Sequence, residues 1–340
     1  MILTQIGHNV NLRFALINRK GADTSMAHDP LIESHLSAAL EYARSFLHEG
    51  AVATYIPELA KGDPTQLGAA IYAADGEIYR VGDWQQEFTI QSISKTITLI
   101  LALQLAGYRK VFSKVGVEPT GDPFNSIVRL ETTAPRPLNP MINAGAIATA
   151  SCCMGGRDAF SEFLKLTRRL CGRSSISLNE EVYRSEKQAG MRNRSMAYLM
   201  QSDNLLECDA EDALDLYFRM CSVNVNTMDL ARYGMVLAGN GKDPETGEQL
   251  VEGWIVRIVK TLMVTCGLYD ASGEFAMKVG IPAKSGVGGG IMGSVERKMG
   301  VAAFSPGLDA KGNSVGAFHM LEYLSHHLGL HYFAGSECRV

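Results

Sequence analysis

The sequence predicts a mixed α/β fold of the α+β type, in which an antiparallel sheet is flanked by helices and interrupted by an inserted all-helical domain. Strand-like segments occur at 67–81 and 289–304, and the long stretch between them has apolar residues mostly at helical spacing. Strands separated by a block of helices are expected to form one sheet, with the helices as an insertion. We therefore expect a loosely ordered leader at 1–28, a sheet domain from 29–96 together with 266–340, and a helical domain at 97–265.

The first predicted elements are a helix and a hairpin. Residues 30–49 place apolar side chains at helical spacing. Residues 67–81 alternate around Asp75-Gly76, a dipeptide typical of tight β-hairpins. A polar, strand-like stretch at 83–90 follows, and the apolar run from Thr96 to Gly107 then predicts a helix that ends at the glycine.

The middle of the chain is predicted to be helical, and the last part returns to short strands before a closing helix. Five segments have helical spacing and are joined by polar or glycine-bearing loops: Ala159–Cys171, Glu180–Leu199, Ala210–Cys221, Met228–Ala238 and Gly253–Thr265. The later segments are strands at Phe275–Ile281, Gly289–Gly293 and Gly300–Phe304, a turn at Asp309–Asn313, and a helix at Ser314–Leu328.

Composition and charge limit the functional class. Of 340 residues, 46% are hydrophobic and 20% charged, which is ordinary for a compact globular protein. The net charge of −4, without a long basic run, indicates no nucleic-acid or anionic-membrane partner. Seven scattered cysteines, an odd number, favour reduced thiols in a cytoplasmic protein over a disulfide framework. We also expect no secretory signal in Met1–Thr24, which lacks a charged region followed by an apolar one.

Ser92 and Lys95 form the only S-x-x-K in the chain. They lie between the strand-like stretch and the apolar run, so Ser92 is expected at a helix N-terminus, where backbone N–H groups and the helix dipole favour developing negative charge. Lys95 is one turn later on the same face. Burial among apolar groups, near a second cation such as Lys284, would allow it to lose its proton near neutral pH. The pattern favours an activated serine nucleophile, and the alternative is a serine N-cap followed by a surface lysine.

A second motif, Lys284-Ser285-Gly286, is the only K-[ST]-G in the chain. Apolar residues on both sides of a glycine-rich kink at 282–291 place it on a strand. Glycines let a backbone approach a ligand closely, and a strand edge beside the nucleophile can supply an N–H donor to an oxyanion. The same stretch contains a G-x-G-x-x-G, which we reject as a dinucleotide fingerprint because further strand-like sequence follows it.

Ser202-Asp203-Asn204 is a third motif. With the other two it completes, in the right order, the set found in serine β-lactamases and penicillin-binding proteins. The triplet follows a helical segment that ends near Met200, and Ser, Asp and Asn are also the residues that form turns and cap helices. We therefore interpret it as a turn outside the active site.

Other candidates obtain no role from spacing alone. The eight histidines include no H-E-x-x-H and no metal-binding Cys/His spacing, so no metal site is predicted. Glu186 and Asn193 are expected two turns apart on one helical face, where they could hold an ammonium and a carboxylate or form a solvated polar face. Tyr217 and Tyr269 flank the helical block, and most tyrosines are packing residues.

Six longer strings extend the motifs and run from about Ala51 to the C-terminus. They are Tyr55–Ala60, Phe88–Lys95, Val117–Ser126, Asn139–Ile147, Thr265–Asp270 and Lys284–Ile291. These strings resemble the serine-dependent glutaminase family, L-glutamine amidohydrolases of the β-lactamase-like fold, in its single-domain bacterial form. The resemblance implies a serine β-lactamase/transpeptidase-like fold and a reaction that needs neither a metal nor an organic cofactor.

The resemblance also implies roles for individual residues. Ser92 would be the acylated nucleophile, Lys95 its base and Tyr269 part of the proton relay. The backbone N–H groups of Ser92 and Val287 would form the oxyanion hole, and Lys284 is a further catalytic candidate. The substrate would contact Ser92, Tyr269 and Val287, and its amino-acid end would bind to Tyr55, Asn143, Glu186, Asn193 and Tyr217.

We therefore expect a cytoplasmic homodimer or homotetramer that hydrolyses L-glutamine to L-glutamate and ammonia through a γ-glutamyl ester of serine. Glutamine is a zwitterion, so its selection needs one acid, Glu186, and neutral donors, Asn143, Asn193 and Tyr217. One alternative is a β-lactamase or penicillin-binding-protein-like hydrolase that uses Ser202-Asp203-Asn204. The other is a non-catalytic glutamine-binding protein.

Overall fold

The computed structural model describes residues 29–121, 123, 126–127, 136–156 and 158–334. The leader predicted at 1–28 lies outside these ranges, as does part of the string Val117–Ser126. Within them, eleven helices surround one five-stranded sheet and two short two-stranded sheets.

Nine strands are present in the described residues. They are β1 (Ala51–Val52), β2 (Gly68–Ala73), β3 (Ile78–Gly82), β4 (Phe88–Thr89), β5 (Asn224–Val225), β6 (Ala283–Ser285), β7 (Gly290–Val295), β8 (Met299–Phe304) and β9 (Gly307–Leu308). The central sheet has the order β3-β2-β8-β7-β6, and every neighbouring pair is antiparallel. The predicted hairpin is therefore confirmed, and its second partner, β8, comes from the far end of the chain.

The helices are numbered in chain order. They are α1 (Pro30–Arg44), α2 (Ser94–Lys114), α3 (Asn143–Ser151), α4 (Ala159–Cys171), α5 (Glu180–Ala189), α6 (Met191–Ser202), α7 (Ala210–Cys221), α8 (Thr227–Ala238), α9 (Gly253–Cys266), α10 (Ser272–Lys278) and α11 (Val315–Leu328). Helices α1 and α11 pack together and contact one face of the sheet, and α8 packs on the other. Because side chains alternate along β2, Ile71 faces α1 and α11 while Tyr72 faces the helical side.

Helix α2, which follows Ser92, begins with a long buried stretch. The first ten residues of α2, Ser94 to Leu103, are all buried. Gly107 interrupts the helix with φ 80° and ψ 165°, and a shorter helical stretch then continues to Lys114. The helix was predicted to end at Gly107, but the glycine forms a kink, because the chain resumes helical geometry after it.

Two sequence predictions are wrong. Residues 275–281 were expected as a strand, but most of this segment belongs to α10 and its C-terminal turn, because Phe275 and Val279 are buried four residues apart while Met277 between them is 72% exposed. The predicted helix Glu180–Leu199 is two helices that meet at Gly190. A Cβ at Gly190 would lie 2.5 Å from the Phe218 ring, so packing against α7 requires glycine at this junction.

The predicted fold class is confirmed: an antiparallel sheet carries helices on both faces, and a large helical part separates the strands in sequence. The division into a sheet domain at 29–96 with 266–340 and a helical domain at 97–265 stays a prediction, and α8 from the second range packs directly on the sheet. None of the helices in the described residues is long and apolar enough to cross a membrane.

Candidate active site

Ser92 lies in the short 3-10 turn Gln91–Ile93, immediately before α2. Strand β4 leads into this turn, and the buried side chains of Ile90 and Ile93 anchor it in the core. Gln91 adopts φ 46°, an unusual conformation for a residue with a side chain. This backbone places Ser92 at the start of the long buried helix, as predicted, and leaves its side chain 6% exposed.

Lys95 is almost completely buried, which excludes the alternative of a surface lysine. Its Nζ donates to the backbone oxygen of Met141 at 3.1 Å and to Oδ1 of Asn143 at 2.7 Å. Burial lowers the pKa of Lys95 from 10.5 to about 8, because the charged amine has lost its water, although the nearby Glu186 carboxylate favours the charged form. A substantial neutral fraction is therefore available near physiological pH.

Tyr269 begins a second 3-10 turn, Tyr269–Ala271, and has φ 56°. Its hydroxyl hydrogen-bonds the Ser92 side chain and lies 3.4 Å from the backbone oxygen of Ser285. Burial raises the pKa of Tyr269, and the hydrogen bond to Ser92 opposes that rise. The phenol thus reaches the candidate nucleophile from the turn between α9 and α10.

Lys284 lies on β6 and is fully buried. Its Nζ donates to the backbone oxygens of Gly267 at 2.9 Å and Ser285 at 2.7 Å, and lies 4.4 Å from the centre of the Tyr269 ring. Burial and the nearby charge of Lys95 lower the pKa of Lys284 well below its usual range. The second motif is therefore packed against the turn that carries Tyr269.

Ser92 lines a cavity whose walls come from several helices and loops. One carboxylate and one guanidinium stand among its lining side chains in the described part of the chain. The lining residues are Tyr55, Ile56, Gln91, Ser92, Asn143, Glu186, Ala189, Gly190, Arg192, Asn193, Tyr217 and Val287. A larger crevice, between α4, α5 and α7, contains none of the predicted site residues in its lining.

Glu186 supplies the carboxylate of this cavity and is buried. Its Oε2 accepts from Gln91 Nε2 at 3.4 Å and from Ser222 Oγ at 3.5 Å. Burial raises the pKa of Glu186 from 4.5 to about 7, against the opposing effects of Gln91 and the Lys95 charge. Both of its hydrogen bonds are long, so the carboxylate retains capacity for a cationic partner.

Two asparagines form a bridge from Lys95 to the cavity. Asn143 is the first residue of α3, and its Nδ2 donates to Asn193 Oδ1, on α6, at 3.0 Å. Tyr217 on α7 is buried, whereas Tyr55, in the loop after β1, is 55% exposed at the mouth. The structure thus brings together in one cavity all five residues that the family resemblance implied for the amino-acid end of the substrate. Glu186 and Asn193 nevertheless lie on two helices, which corrects the prediction of one helical face.

Val287 lines the same cavity on the turn between β6 and β7. The glycines on either side let this turn lie against the end of β4: a Cβ on Gly286 would be 2.8 Å from the Ile90 oxygen, and one on Gly288 would be 2.3 Å from the Thr89 oxygen. The glycine-rich kink therefore serves close backbone approach, and strand β7 follows it, so its rejection as a dinucleotide motif is confirmed.

Sequence reasoning missed three polar residues that contact Glu186 or line the cavity: Gln91, Ser222 and Arg192. The position of Gln91 beside the nucleophile was the only available signal. Ser202-Asp203-Asn204 forms the end of α6 and the turn after it, with Asn204 at φ 57°, and is absent from the described lining of the cavity. The interpretation of this triplet as a turn is confirmed.

A serine at a helix start with a buried lysine behind it, beside an antiparallel sheet and a helical part, places the chain in the class of hydrolases with the β-lactamase-like fold. Residues 50–333 match a family model described as Glutaminase. The chain belongs to the glutaminase family.

Individual relatives agree with this assignment. The chain is 50% identical over 305 residues to Glutaminase 2 of Clostridium perfringens, covering 89% of this chain and 100% of that protein. It is 49% identical over 306 residues to a glutaminase of Clostridioides difficile, with coverage of 89% and 99%. Among solved structures, the probable glutaminase ybaS has a TM-score of 0.83 and 40% identity, covering 89% of this chain and 99% of its own. A covalent complex of the Bacillus subtilis glutaminase YbgJ with 5-oxo-L-norleucine, formed by reaction with 6-diazo-5-oxo-L-norleucine, has a TM-score of 0.80 and 35% identity, covering 90% and 100%.

Proposed function

We propose that this glutaminase-family hydrolase converts L-glutamine to L-glutamate and ammonia through a γ-glutamyl ester on Ser92. The observation that carries the proposal is the shared cavity of Ser92, Glu186, Asn143 and Asn193. A candidate nucleophile, one carboxylate and two asparagine amides converge on this cavity.

In the acylation step, Ser92 Oγ forms a bond to the amide carbon while its proton passes to the neutral amine of Lys95. The carbonyl oxygen becomes an oxyanion, which the backbone N–H groups of Ser92 and Val287 stabilise. The intermediate then collapses, the C–N bond breaks, and the nitrogen leaves as ammonia with a proton relayed from Lys95 through Tyr269.

In the deacylation step, water attacks the ester carbon and gives its proton to Lys95 through the same relay. The ester C–O bond breaks, glutamate is released, and Ser92 recovers its proton. Lys284 is a further candidate for this relay because it lies beside Tyr269 and Lys95. Neither step requires a metal or an organic cofactor.

Recognition of the amino-acid end follows from charge and hydrogen bonding. Glu186 is proposed to pair with the α-ammonium group, whose charge would also favour the ionised carboxylate. Asn143, Asn193 and Tyr217 are proposed to donate to the α-carboxylate, and Tyr55 to cover the mouth of the cavity. A site of buried polar groups discriminates strongly against analogues that leave a group unpaired.

Ammonia release from L-glutamine tests the reaction, with Ser92→Ala as the inactive variant and Ser202→Ala as the matched control. We expect full activity in Ser202→Ala and none in Ser92→Ala. Turnover of a chromogenic cephalosporin without turnover of glutamine would overturn the proposal. Glutamine binding by calorimetry with no ammonia release would indicate a non-catalytic binding protein instead.

Covalent labelling tests the ester independently of turnover. The diazoketone 6-diazo-5-oxo-L-norleucine is expected to add one 5-oxo-norleucyl group to wild type, by intact-mass spectrometry, and none to Ser92→Ala. A label on another residue would contradict the assignment of the nucleophile.

Cytoplasmic location and a homodimeric or homotetrameric state are part of the proposal. The six cysteines within the described residues are all free thiols, which suits a reducing compartment. Light scattering coupled to gel filtration tests the oligomeric state, and a monomer at working concentration would contradict it.

A further inference from the structure

A second cavity adjoins the candidate active site at the turn between β6 and β7. It is formed by the loop after β1, strand β4, the start of α5, strand β5 and the end of β8. Among the described residues, Val287 is the one that lines both cavities. The two cavities therefore meet at this residue.

The boundary at Val287 is tightly packed. Val287 is 5% exposed and belongs to a small apolar cluster with Ala53, Tyr269 and Leu308, against which Leu59 packs. The glycines on both sides of Val287 hold the backbone of this turn against the end of β4. The Val287 side chain therefore has little room to move out of the way of a larger ligand.

The leaving group of the proposed reaction is expected beside this boundary. The carbonyl oxygen of the scissile amide is proposed to accept from the Val287 N–H, and the amide nitrogen is bonded to the same carbon in the same plane. The proton that releases this nitrogen is proposed to pass through Tyr269, which belongs to the same apolar cluster as Val287. A substituent on the nitrogen would therefore meet the boundary between the two cavities.

We propose that the Val287 side chain is a specificity-determining steric barrier: it limits the enzyme to an unsubstituted γ-amide, and the second cavity holds a short N-alkyl group when this barrier is removed. This role rests on the proposed function. In such a substrate the same C–N bond breaks, and a primary alkylamine leaves in place of ammonia with the proton from the relay. Three apolar side chains in the lining of the second cavity suit an alkyl group: Leu59, Phe88 and Val182.

The test compares kcat/KM for γ-glutamyl ethylamide with kcat/KM for L-glutamine, both measured as release of glutamate. Val287→Ala removes the γ-methyl groups and keeps the backbone N–H, so a weaker oxyanion hole affects both substrates alike and cancels in the ratio of the two constants. We expect the ratio of ethylamide to glutamine to rise about 10- to 200-fold, the effect of a one-methylene change in an apolar pocket. An unchanged ratio would overturn the inference.

Leu308→Ala is the matched control, because Leu308 belongs to the same apolar cluster but is not among the described lining residues of either cavity. The ratio should keep its wild-type value in this variant. An equal rise in Leu308→Ala would show that loosened packing admits the larger amide, and it would contradict a barrier at Val287. Thermal midpoints show whether the variants are folded. If Val287→Ala does not fold, Leu59→Ala opens the boundary from the second cavity and decides in the same way.

A second substitution tests where the alkyl group binds. Leu59 lines the second cavity and is partly buried, so a phenylalanine at this position takes up space in that cavity beside Val287. In the Val287→Ala background, Leu59→Phe is expected to return the ratio toward its wild-type value. A gain that persists would place the alkyl group outside the second cavity, and the inference would be wrong. A wild-type enzyme without glutamine turnover would contradict the proposed function instead, so the two failures are distinguishable.

Discussion

Lys284 and Tyr269 share one hydrogen-bond acceptor. The Lys284 Nζ and the Tyr269 hydroxyl both contact the backbone oxygen of Ser285, at 2.7 and 3.4 Å, while the lysine nitrogen lies 4.4 Å from the centre of the tyrosine ring. The lysine of the second motif is thus in direct contact with the phenol that reaches Ser92. The Lys284 side chain also donates to the backbone oxygen of Gly267, two residues before Tyr269.

Replacing Lys284 by methionine is expected to lower kcat about 100-fold with a smaller effect on KM, because misplacing a catalytic group by about an ångström costs that much. Lys278→Met, which removes a lysine that is 43% exposed on α10, is the control and should keep wild-type kinetics. Steady-state kinetics measure kcat and KM of both variants, and their thermal midpoints show whether they are folded. A wild-type kcat in Lys284→Met would mean that the position of Tyr269 does not depend on Lys284.

Tyr269→Phe is expected to lower kcat about 100- to 10,000-fold, the usual contribution of one positioned acid or base. The ring keeps its packing against Lys284, so KM should change little. Rapid-quench measurement of the first turnover checks whether the loss is in acylation. The control is Tyr72→Phe, at a tyrosine on β2 that is not among the described lining residues of the cavity. Equal losses in both variants would exclude a specific role for Tyr269.

The pKa of Glu186, raised by burial to about 7, predicts an acid limb in kcat/KM for glutamine. The carboxylate must be ionised to pair with the α-ammonium, so its protonation should lower kcat/KM by a further factor of about ten per unit below this value, in addition to the loss from protonation of Lys95. Glu186→Gln should remove this limb and raise KM for glutamine far more than for substrates that lack the α-amino group. Equal increases in KM for both substrates would show that Glu186 does not hold the ammonium.

The raised pKa of Glu186 also predicts that a neutral side chain at this position stabilises the folded state. A folded pKa of about 7 against 4.5 means that the folded state binds the proton more tightly, so the free energy of unfolding falls as pH rises between these values and stays low above them. The rise corresponds to roughly 3 kcal/mol. Glu186→Gln should therefore raise the thermal midpoint at about pH 8 and much less at about pH 5, measured by calorimetry in the absence of substrate. An unchanged thermal midpoint at both pH values would show that burial of the Glu186 carboxylate does not destabilise the folded state.

Gly288→Ala is expected to reduce kcat about 100-fold or more, because the added Cβ would lie 2.3 Å from the Thr89 oxygen and push the Val287 N–H away from the oxyanion. Gly273→Ala is the matched control: a Cβ at Gly273, on α10, meets nothing within 4 Å. It should keep full activity and gain up to about 1 kcal/mol of stability. Equal activity of the two variants would exclude the backbone of Val287 from the mechanism.

Local sequence patterns predicted much of the fold and the catalytic core. The hairpin around Asp75-Gly76 and the helices at Ala159–Cys171 and Ala210–Cys221 follow from short-range spacing and were placed correctly. Ser92 was also placed correctly, because the change from strand-like to apolar sequence marks the helix start. The candidate amino-acid site came from the family resemblance, since the five residues proposed for it lie on separate elements.

The sequence predictions fail where contacts between residues far apart in the chain determine the local structure. The alternation of Phe275, Met277, Val279 and Ile281 has the period of a strand, but only the position of the sheet shows that Met277 faces outward. The junction at Gly190 depends on the Phe218 ring, and the acceptors of Lys95 are more than forty residues away along the chain. Such contacts have no local signal in the sequence.

The pairing of β2 with β8 has a consequence for biosynthesis. Residues 68–73 emerge early from the ribosome, with β3 as their local partner, but their other edge stays open until residues 299–304 are synthesised. An open strand edge is a template for pairing with other chains, and contacts between such distant segments form slowly. Nascent or prematurely terminated chains that end before β8 should therefore depend on chaperones and aggregate when these are depleted.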